Sequence, residues 1–298
     1  MVKFAAWVVA RRLRRVSCIT LVFLLPLVGF VSAAVVVLAT NVKGPREALI
    51  DCLLALAALS VLMLLAGGGI VTLEITAALV IWCTSVGLAF LVGHYGSLTL
   101  AMQAAVLLSV LGLLVFVGWI GDPMIFWRDL LELFAELSRQ AAGTAIDPLS
   151  RESFEQLAPI MAGIMASAVL LALVLALLLG TWWGCGLRGS SFAAMFRNLH
   201  LGYVIGTFAT IAGIAAILGL QPIAENVLLV LGTGFAFQGL AVIYWWSGSK
   251  QWPKGWWVAL YFPLLLGPVA RISEIVLLVA VGFIDNWYRL RPGREDMV

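Results

Sequence analysis

Apolar residues run along this chain in long blocks, and short groups of glycine, proline or charged residues separate the blocks. A helix that crosses the hydrocarbon core of a bilayer needs about 20 predominantly apolar residues. We therefore predict an all-α fold, a polytopic transmembrane helical bundle of about eight spans that forms a single integral membrane domain over residues 1–298. The predicted spans are Val16–Thr40, Leu49–Ala66, Ile70–Val92, Leu98–Ile120, Pro159–Trp183, Gly202–Leu220, Pro222–Trp246 and Trp256–Ile284.

The longest polar stretch lies at residues 121–158, between the fourth and fifth predicted spans, and it is acidic. Its apolar side chains recur at helical spacing opposite a charged face, which predicts an amphipathic helix. We expect this helix to lie on the membrane surface, and the alternative is a helix that binds a partner or covers the bundle. The apolar positions are Phe126, Leu130, Leu133, Phe134 and Leu137.

The composition identifies the lipid bilayer as the main surroundings of the chain. Apolar residues make up 63% of it, charged residues only 11%, and the mean hydropathy is +1.09. Soluble domains carry about 25% charged residues. The basic residues form small islands beside apolar blocks, a pattern typical of topology signals and not of a nucleic-acid-binding stripe. We expect a multi-pass protein that binds no nucleic acid.

The arginines before the first span predict a cytoplasmic N-terminus. Basic residues leave the remaining topology open, because two arrangements place equal numbers of them on the cytoplasmic side. In one arrangement Val16–Thr40 is a single span, and in the other Pro26 and Gly29 break it into two short inserted pieces. The acidic 121–158 segment favours the second arrangement, since anionic lipids repel it from the cytoplasmic leaflet.

No pattern of reactive residues indicates catalysis or metal binding. The four cysteines are far apart, and His94 and His200 are isolated, so neither forms a ligand set of the usual spacing. Signatures of hydrolases, metalloproteases, P-loops and dinucleotide-binding folds are missing from the sequence. We predict a protein that is not an enzyme and that has no cofactor and no metal.

The final predicted span carries two charged residues near its middle. Arg271 lies about midway between Trp256 and Asp285, and Glu274 follows three residues later on the same helix face. Ionised side chains inside lipid are costly, so they pair with each other or face a cavity. One hypothesis is a substrate or ion site in which Arg271 binds an anion. The other is a structural ion pair that fixes helix packing.

Other polar residues within or beside the spans are weaker candidates for ligand contacts. We expect Glu74 to lie at the membrane interface, and Asp51 to reach the interface from near the end of its span. Gln103 and Gln238 lie deeper, where an amide side chain usually bonds to a neighbouring helix.

Small residues mark one face of the sixth predicted span. Gly202 and Gly206 have GxxxG spacing, and Gly213 follows on the same stripe. Such a stripe lets two helix backbones approach closely. We predict packing within the chain, and the alternative is dimerisation into a homo-oligomer.

Two regions carry the motifs of a known family. The first comprises Leu25–Gly29, Val35–Leu38 and Lys43–Arg46, and the second comprises Phe237–Val242 and Val281–Asp285. Together with the length and span number, they resemble the YybS-like family of uncharacterised bacterial polytopic membrane proteins. That family is distantly similar to the substrate-binding components of energy-coupling-factor transporters, which are small helical bundles.

The resemblance has implications for topology, location and partners. Gly44-Pro45 resembles the basic Gly-Pro turn of those components, which favours the broken first span, and Asp285 ends the second motif region. The resemblance implies a bacterial cytoplasmic (inner) membrane and a coupling subunit as partner. We therefore predict a transporter-like component that binds or transports a small solute without an ATPase of its own. The alternative is a non-transporting scaffold in envelope biogenesis, in which a partner docks on the 121–158 segment.

Overall fold

The computed structural model describes residues 2–25, 28–65, 71–142, 156–220, 222–253 and 255–291. These residues are almost entirely helical, and no strand occurs in the described ranges. A short 3-10 turn at Ala158–Ile160 precedes the eighth helix. The helices are α1 (Val2–Ala10), α2 (Arg12–Phe23), α3 (Gly29–Lys43), α4 (Pro45–Leu65), α5 (Val71–Tyr95), α6 (Leu98–Ile120), α7 (Pro123–Ala142), α8 (Met161–Arg188), α9 (Phe192–Arg197), α10 (Gly202–Ile217), α11 (Ile223–Ser249), α12 (Trp256–Leu265) and α13 (Pro268–Tyr288).

Five of the described helices are long and apolar enough to cross a membrane: α4, α5, α6, α11 and α8 with its preceding turn. The all-α fold of the described residues is therefore confirmed, with five helices that could span a membrane, but the count of eight spans is not. Three predicted spans account for the difference. Helix α10 is an apolar helix of only 16 residues, and the first and last predicted spans are each divided into two helices.

The first predicted span is divided between α2 and α3. Their backbone leaves the helical path beyond Phe23 and resumes at Gly29, and Pro26 lies outside the described residues. The hydroxyl of Ser32 in α3 donates to the carbonyl of Ile19 in α2 over 2.7 Å, so the two helices pack side by side. The local chain path agrees with the broken first span, whose position across the membrane stays a prediction.

The last predicted span is interrupted between α12 and α13. Leu266 and Gly267 both have non-helical ψ angles, and Pro268 starts α13. A proline fits the first helical turn because that position needs no backbone donor, but it disfavours helix in the residue before it. Arg271 consequently lies in the first turn of a new helix and not at the middle of a continuous span.

The exposed surface of the described helices is largely apolar, with leucine, isoleucine and valine side chains on the outside of most of them. Helix α4 illustrates the pattern. Ala48, Cys52, Ala55 and Leu59 form a buried stripe at helical spacing, while Leu53 on the other face is exposed. Apolar side chains on the outer face are stable in lipid and unstable in water, which agrees with the composition.

The described residues fall into two compact units. Unit 1 comprises Met1–Ala105 and Leu171–His200, and unit 2 comprises Val106–Leu170 and Leu201–Val298. In unit 1, α3 is central, because every residue from Ser32 to Thr40 is buried. Trp82 of α5 is buried against this core, and its indole nitrogen donates to the Ser32 hydroxyl. The prediction of one membrane domain over residues 1–298 stays a prediction.

In unit 2, the backbones of α11 and α13 are in direct contact. A Cβ atom at Gly239 would collide with the carbonyl oxygen of Leu278, and one at Gly282 would collide with that of Phe235. Glycine at both positions removes the side chains that would hold the helices apart. Helix α10 joins this pair where Gly206 meets Asn286.

Helix α7 is the amphipathic helix expected in the 121–158 segment. Asp122 caps it by accepting hydrogen bonds from the backbone N–H groups of Met124 and Ile125. Trp127 is largely buried and lies 5.8 Å from the ring of Phe116 in α6. Residues 143–155 of the segment lie outside the described residues.

Candidate functional site

The predicted pair of Arg271 and Glu274 does not form. Arg271 is exposed, whereas Glu274 is buried, and no ion pair joins them among the residues that the structure describes. One carboxylate oxygen of Glu274 is buried without a hydrogen-bond partner. The three-residue spacing made a contact possible, but the break before Pro268 places Arg271 at the helix end, where its side chain is exposed. The structure therefore does not contain the ion pair that was one of the two hypotheses, and the ligand role of Arg271 and Glu274 stays a prediction.

Because the two side chains do not interact, their substitutions should have additive effects. We expect Arg271→Ala and Glu274→Ala to change the free energy of unfolding independently, with a coupling energy below about 0.5 kcal/mol. SDS titration of the detergent-solubilised single and double variants would measure this coupling. A double variant that is more stable than either single variant would show a buried pair instead.

The predicted residues Gln238 and Asp285 belong to a closed polar cluster in unit 2. The Gln238 amide donates to Asp285 over 2.8 Å and accepts from the Leu201 backbone N–H over 2.8 Å. Arg291 binds both Asp285 oxygens, at 2.6 and 3.2 Å, and the N–H of Leu290 adds a fourth bond to that carboxylate. Asp285 and Arg291 are 3% and 4% exposed. This cluster fastens the end of α13 and has no free acceptor for a ligand.

A second charged cluster joins α2 to α4 in unit 1. Arg15 binds both oxygens of Asp51, at 2.5 and 3.3 Å, and also donates to the Val9 carbonyl of α1. Arg12 bonds to Glu47 and lies 3.3 Å from Asp51. The hydrogen bond to Glu47 raises the pKa of Arg12. Asp51 is completely buried, which corrects the expectation that it reaches the interface.

Two predicted polar residues, Glu74 and Gln103, lie outside these charged clusters. Glu74 is exposed in the first turn of α5. Gln103 is partly buried, and its amide donates to the carbonyl of His200 over 3.5 Å within unit 1. Gln103 therefore links α6 to the segment between α9 and α10, and its role as a ligand contact stays a prediction.

Of the three glycines predicted to form a packing stripe, two contact a neighbouring helix and one does not. Gly206 packs tightly on Asn286, and the carbonyl of Gly202 accepts a bond from the same amide. No atom lies within 4 Å of a Cβ placed at Gly213, so Gly213 takes no part in this contact. Gly44 has φ +96°, a conformation that favours glycine, and Pro45 then begins α4, as expected of a Gly-Pro turn.

Asn41 in unit 1 is a polar residue that the sequence analysis did not identify as a candidate. Asn41 lies in the last turn of α3, and both its amide nitrogen and its amide oxygen are buried without a hydrogen-bond partner. Two other buried amides, Asn226 and Gln238, bond through both polar atoms, whereas Asn286 donates through its nitrogen and leaves its oxygen without a partner. An unpaired buried polar group costs about 1–3 kcal/mol. Both polar atoms of Asn41 carry this cost in the described structure.

Glycines of two other helices flank the Asn41 amide. A Cβ atom at Gly93 of α5 would lie 3.5 Å from the Asn41 amide oxygen, and one at Gly184 of α8 would lie 3.5 Å from its Cβ. Both distances are ordinary van der Waals separations. The two glycines leave room beside the amide that larger residues would fill.

Helix α8 supplies one more unpaired polar group, one helical turn from Gly184. Its Gly180 packs against the backbone of α3 at Ala34, which sets the two helices close together. Thr181, completely buried and one turn before Gly184, has a hydroxyl without a partner. Helix threonines ordinarily bond to the carbonyl four residues earlier, as Thr40 does here.

Arg188, the last residue of α8, lies beside Asn41. It is exposed, and its Nη1 donates to the carbonyl of Asn41 over 3.3 Å. We name Asn41, Gly93, Thr181, Gly184 and Arg188 the Asn41 site. In sequence, the only signals of this site are an asparagine at the end of an apolar run and the spacing of two glycines and an arginine in α8.

Comparison with protein-family models, with curated proteins and with solved structures finds no match to this chain. The resemblance to the YybS-like family therefore stays a prediction.

Proposed function

We propose that this protein is a solute-binding component of a membrane transport system and that the Asn41 site holds the solute. In this proposal it is a multi-pass protein of a bacterial inner membrane with a cytoplasmic N-terminus. It has no ATPase of its own, so active transport requires a coupling subunit as partner. The observation that carries the proposal is the Asn41 amide, buried with neither polar atom satisfied by the chain.

The contrast with the charged clusters supports this assignment. Both carboxylate oxygens of Asp285 and both of Asp51 have a partner, which is what stable helix packing requires. The Asn41 site combines an unsatisfied amide, an unsatisfied Thr181 hydroxyl and unfilled space beside two glycines. A polar ligand supplies the missing hydrogen bonds at such a place, and ordered water is the simplest alternative.

A scaffold role is the second candidate, and α7 favours it. Its side chains Met124, Ile125, Phe126 and Leu133 are exposed although the helix packs on α6 and on the turn before α8. A partner that covers these side chains would use the 121–158 segment as its docking site. This role requires no ligand at the Asn41 site.

Native mass spectrometry of the detergent-purified chain tests the proposed site. We expect the wild-type protein to retain a small molecule and Asn41→Leu to lose at least nine tenths of it. Gly184→Ala should have a similar effect, because its methyl group occupies the space beside the amide without straining either helix.

Gly112→Ala is the matched control, because a Cβ atom there meets no neighbour within 4 Å. It introduces the same methyl group into an apolar helix and should leave the retained molecule unchanged. A wild-type protein that is folded and monodisperse but carries no bound molecule would contradict the proposal and favour the scaffold. Equal retention by Asn41→Leu and wild type would also contradict it.

A further inference from the structure

We infer that the solute at the Asn41 site carries an oxyanion, a carboxylate or phosphate group, and that Arg188 binds this group. The inference rests on the proposed function, because it names the class of molecule that the same site holds. Three features of unit 1 support it: the free donors of Arg188, the donors of the neighbouring unpaired groups, and the charge at this end of the unit.

Arg188 has donors to spare. A guanidinium offers five N–H groups in a planar fork that matches carboxylate and phosphate oxygens. Among the described residues only Nη1 makes a hydrogen bond, to the carbonyl of Asn41, and no acidic side chain there pairs with Arg188. Its Nη2 would lie 3.6 Å from a Cβ at Gly184, so the guanidinium borders the space beside the amide.

The unpaired amide and hydroxyl of the Asn41 site offer hydrogen-bond donors, which favour a ligand with several acceptor oxygens. The Asn41 amide offers two N–H donors and the Thr181 hydroxyl offers one, and neither residue uses them within the chain. A carboxylate or phosphate oxygen accepts several such bonds at once. A cationic ligand would gain only the amide and hydroxyl oxygens and would be repelled by Arg188.

The end of unit 1 that contains the Asn41 site is strongly basic. Hydrogen bonds of Arg12 to Glu47 and of Arg188 to Asn41 bring the start of α2, the α3–α4 turn and the end of α8 to the same end. The acids described there, Glu47 and Asp51, already bind arginines. The remaining positive field attracts anions toward the site. The basic residues are Arg11, Arg12, Arg14, Arg15, Lys43, Arg46 and Arg188.

An oxyanion can reach this end from two sources. One is a soluble solute that bears a carboxylate or phosphate, and the other is the headgroup of an anionic lipid. Both sources use the same contacts with Arg188 and Asn41, so the test has one arm for each.

The soluble arm measures the melting temperature of the detergent-purified full chain during titration with inorganic phosphate and, separately, with citrate. The lipid arm uses nanodiscs of phosphatidylcholine with and without phosphatidylglycerol, and native mass spectrometry counts the phosphatidylglycerol molecules retained. We expect wild type to respond in one arm, and Arg188→Gln to weaken that response at least tenfold. Arg188→Lys keeps the charge but not the fork, so it should recover only part of the response.

Arg46→Gln is the matched control, because Arg46 is an exposed arginine at the same basic end. It removes one charge and should change the response less than twofold. If Arg46→Gln and Arg188→Gln weakened the anion response equally, general charge attraction would explain the response. That result would overturn the inference. So would a lack of response in both arms.

The two proposals fail in different ways. If native mass spectrometry identifies a bound molecule that is neutral or cationic, and Asn41→Leu releases it while Arg188→Gln retains it, the proposed function stands and the oxyanion inference falls. If wild type retains no molecule and responds to no anion, the proposed function falls with it.

Discussion

Replacing Asp285 with alanine is expected to destabilise the protein by about 3–5 kcal/mol, because the change leaves Arg291 buried without its counter-ion. The substitution also removes the acceptor of the Gln238 amide and of the Leu290 backbone N–H. The free energy of unfolding by SDS titration would measure the loss. Asp285→Asn keeps the shape and part of the hydrogen bonding, so we expect a smaller but still substantial loss.

Asp129→Ala is the control for this experiment. Asp129 belongs to the same unit, but its side chain is 65% exposed and its contact with Arg128 is a surface pair. Its removal should change the free energy of unfolding by less than about 0.5 kcal/mol. If Asp285→Ala were as mild as this control, the buried cluster would not be what fastens the end of α13.

Alanine at Gly282 is the second substitution for which we expect a large effect. The added methyl group meets the Phe235 carbonyl oxygen and the Gly239 backbone nitrogen, both of which are backbone atoms that cannot rotate away. Helices α11 and α13 must then separate, at a cost of about 1–3 kcal/mol or more. The same SDS titration would measure it.

Gly213→Ala is the matched control for Gly282→Ala, and we expect it not to destabilise the protein. A Cβ atom at Gly213 meets no neighbour within 4 Å, so the gain in helix propensity, up to about 1 kcal/mol, is the main effect. Equal effects of the two substitutions would show that the close contact between α11 and α13 does not form.

The sequence predicted the helices well and their interruptions less well. Helix α6 has the predicted bounds of Leu98–Ile120, because glycine or charged residues end the apolar run on both sides. The predicted span Trp256–Ile284 runs through the break before Pro268, because the apolar run continues there. Hydropathy measures affinity for lipid, but a change in backbone direction depends on one or two local dihedral angles.

Local sequence spacing also failed to show that Arg271 and Glu274 form no ion pair. A spacing of three residues places two side chains on one face of a helix, but it does not show which neighbouring helix that face meets. Asp51 was misjudged in a similar way, because its partner Arg15 is 36 residues away in a different helix. Long-range pairs of this kind follow from the packing and are not visible in local spacing.

The Asn41 site was missed because nothing in its sequence is unusual. An asparagine near a helix end is common, and the glycines of α5 and α8 contact it only after three helices have packed. Its significance is a property of the folded chain: an amide with both polar atoms buried and neither of them bonded. Residue types alone do not reveal which polar groups remain unsatisfied.

A crystal or cryo-EM structure of the full chain, extracted in its native lipid, tests the central claim most directly. We predict a bound molecule larger than water within hydrogen-bond distance of the Asn41 amide and the Thr181 hydroxyl, with an anionic group against Arg188. A structure in which protein groups or single water molecules alone satisfy that amide would contradict the account.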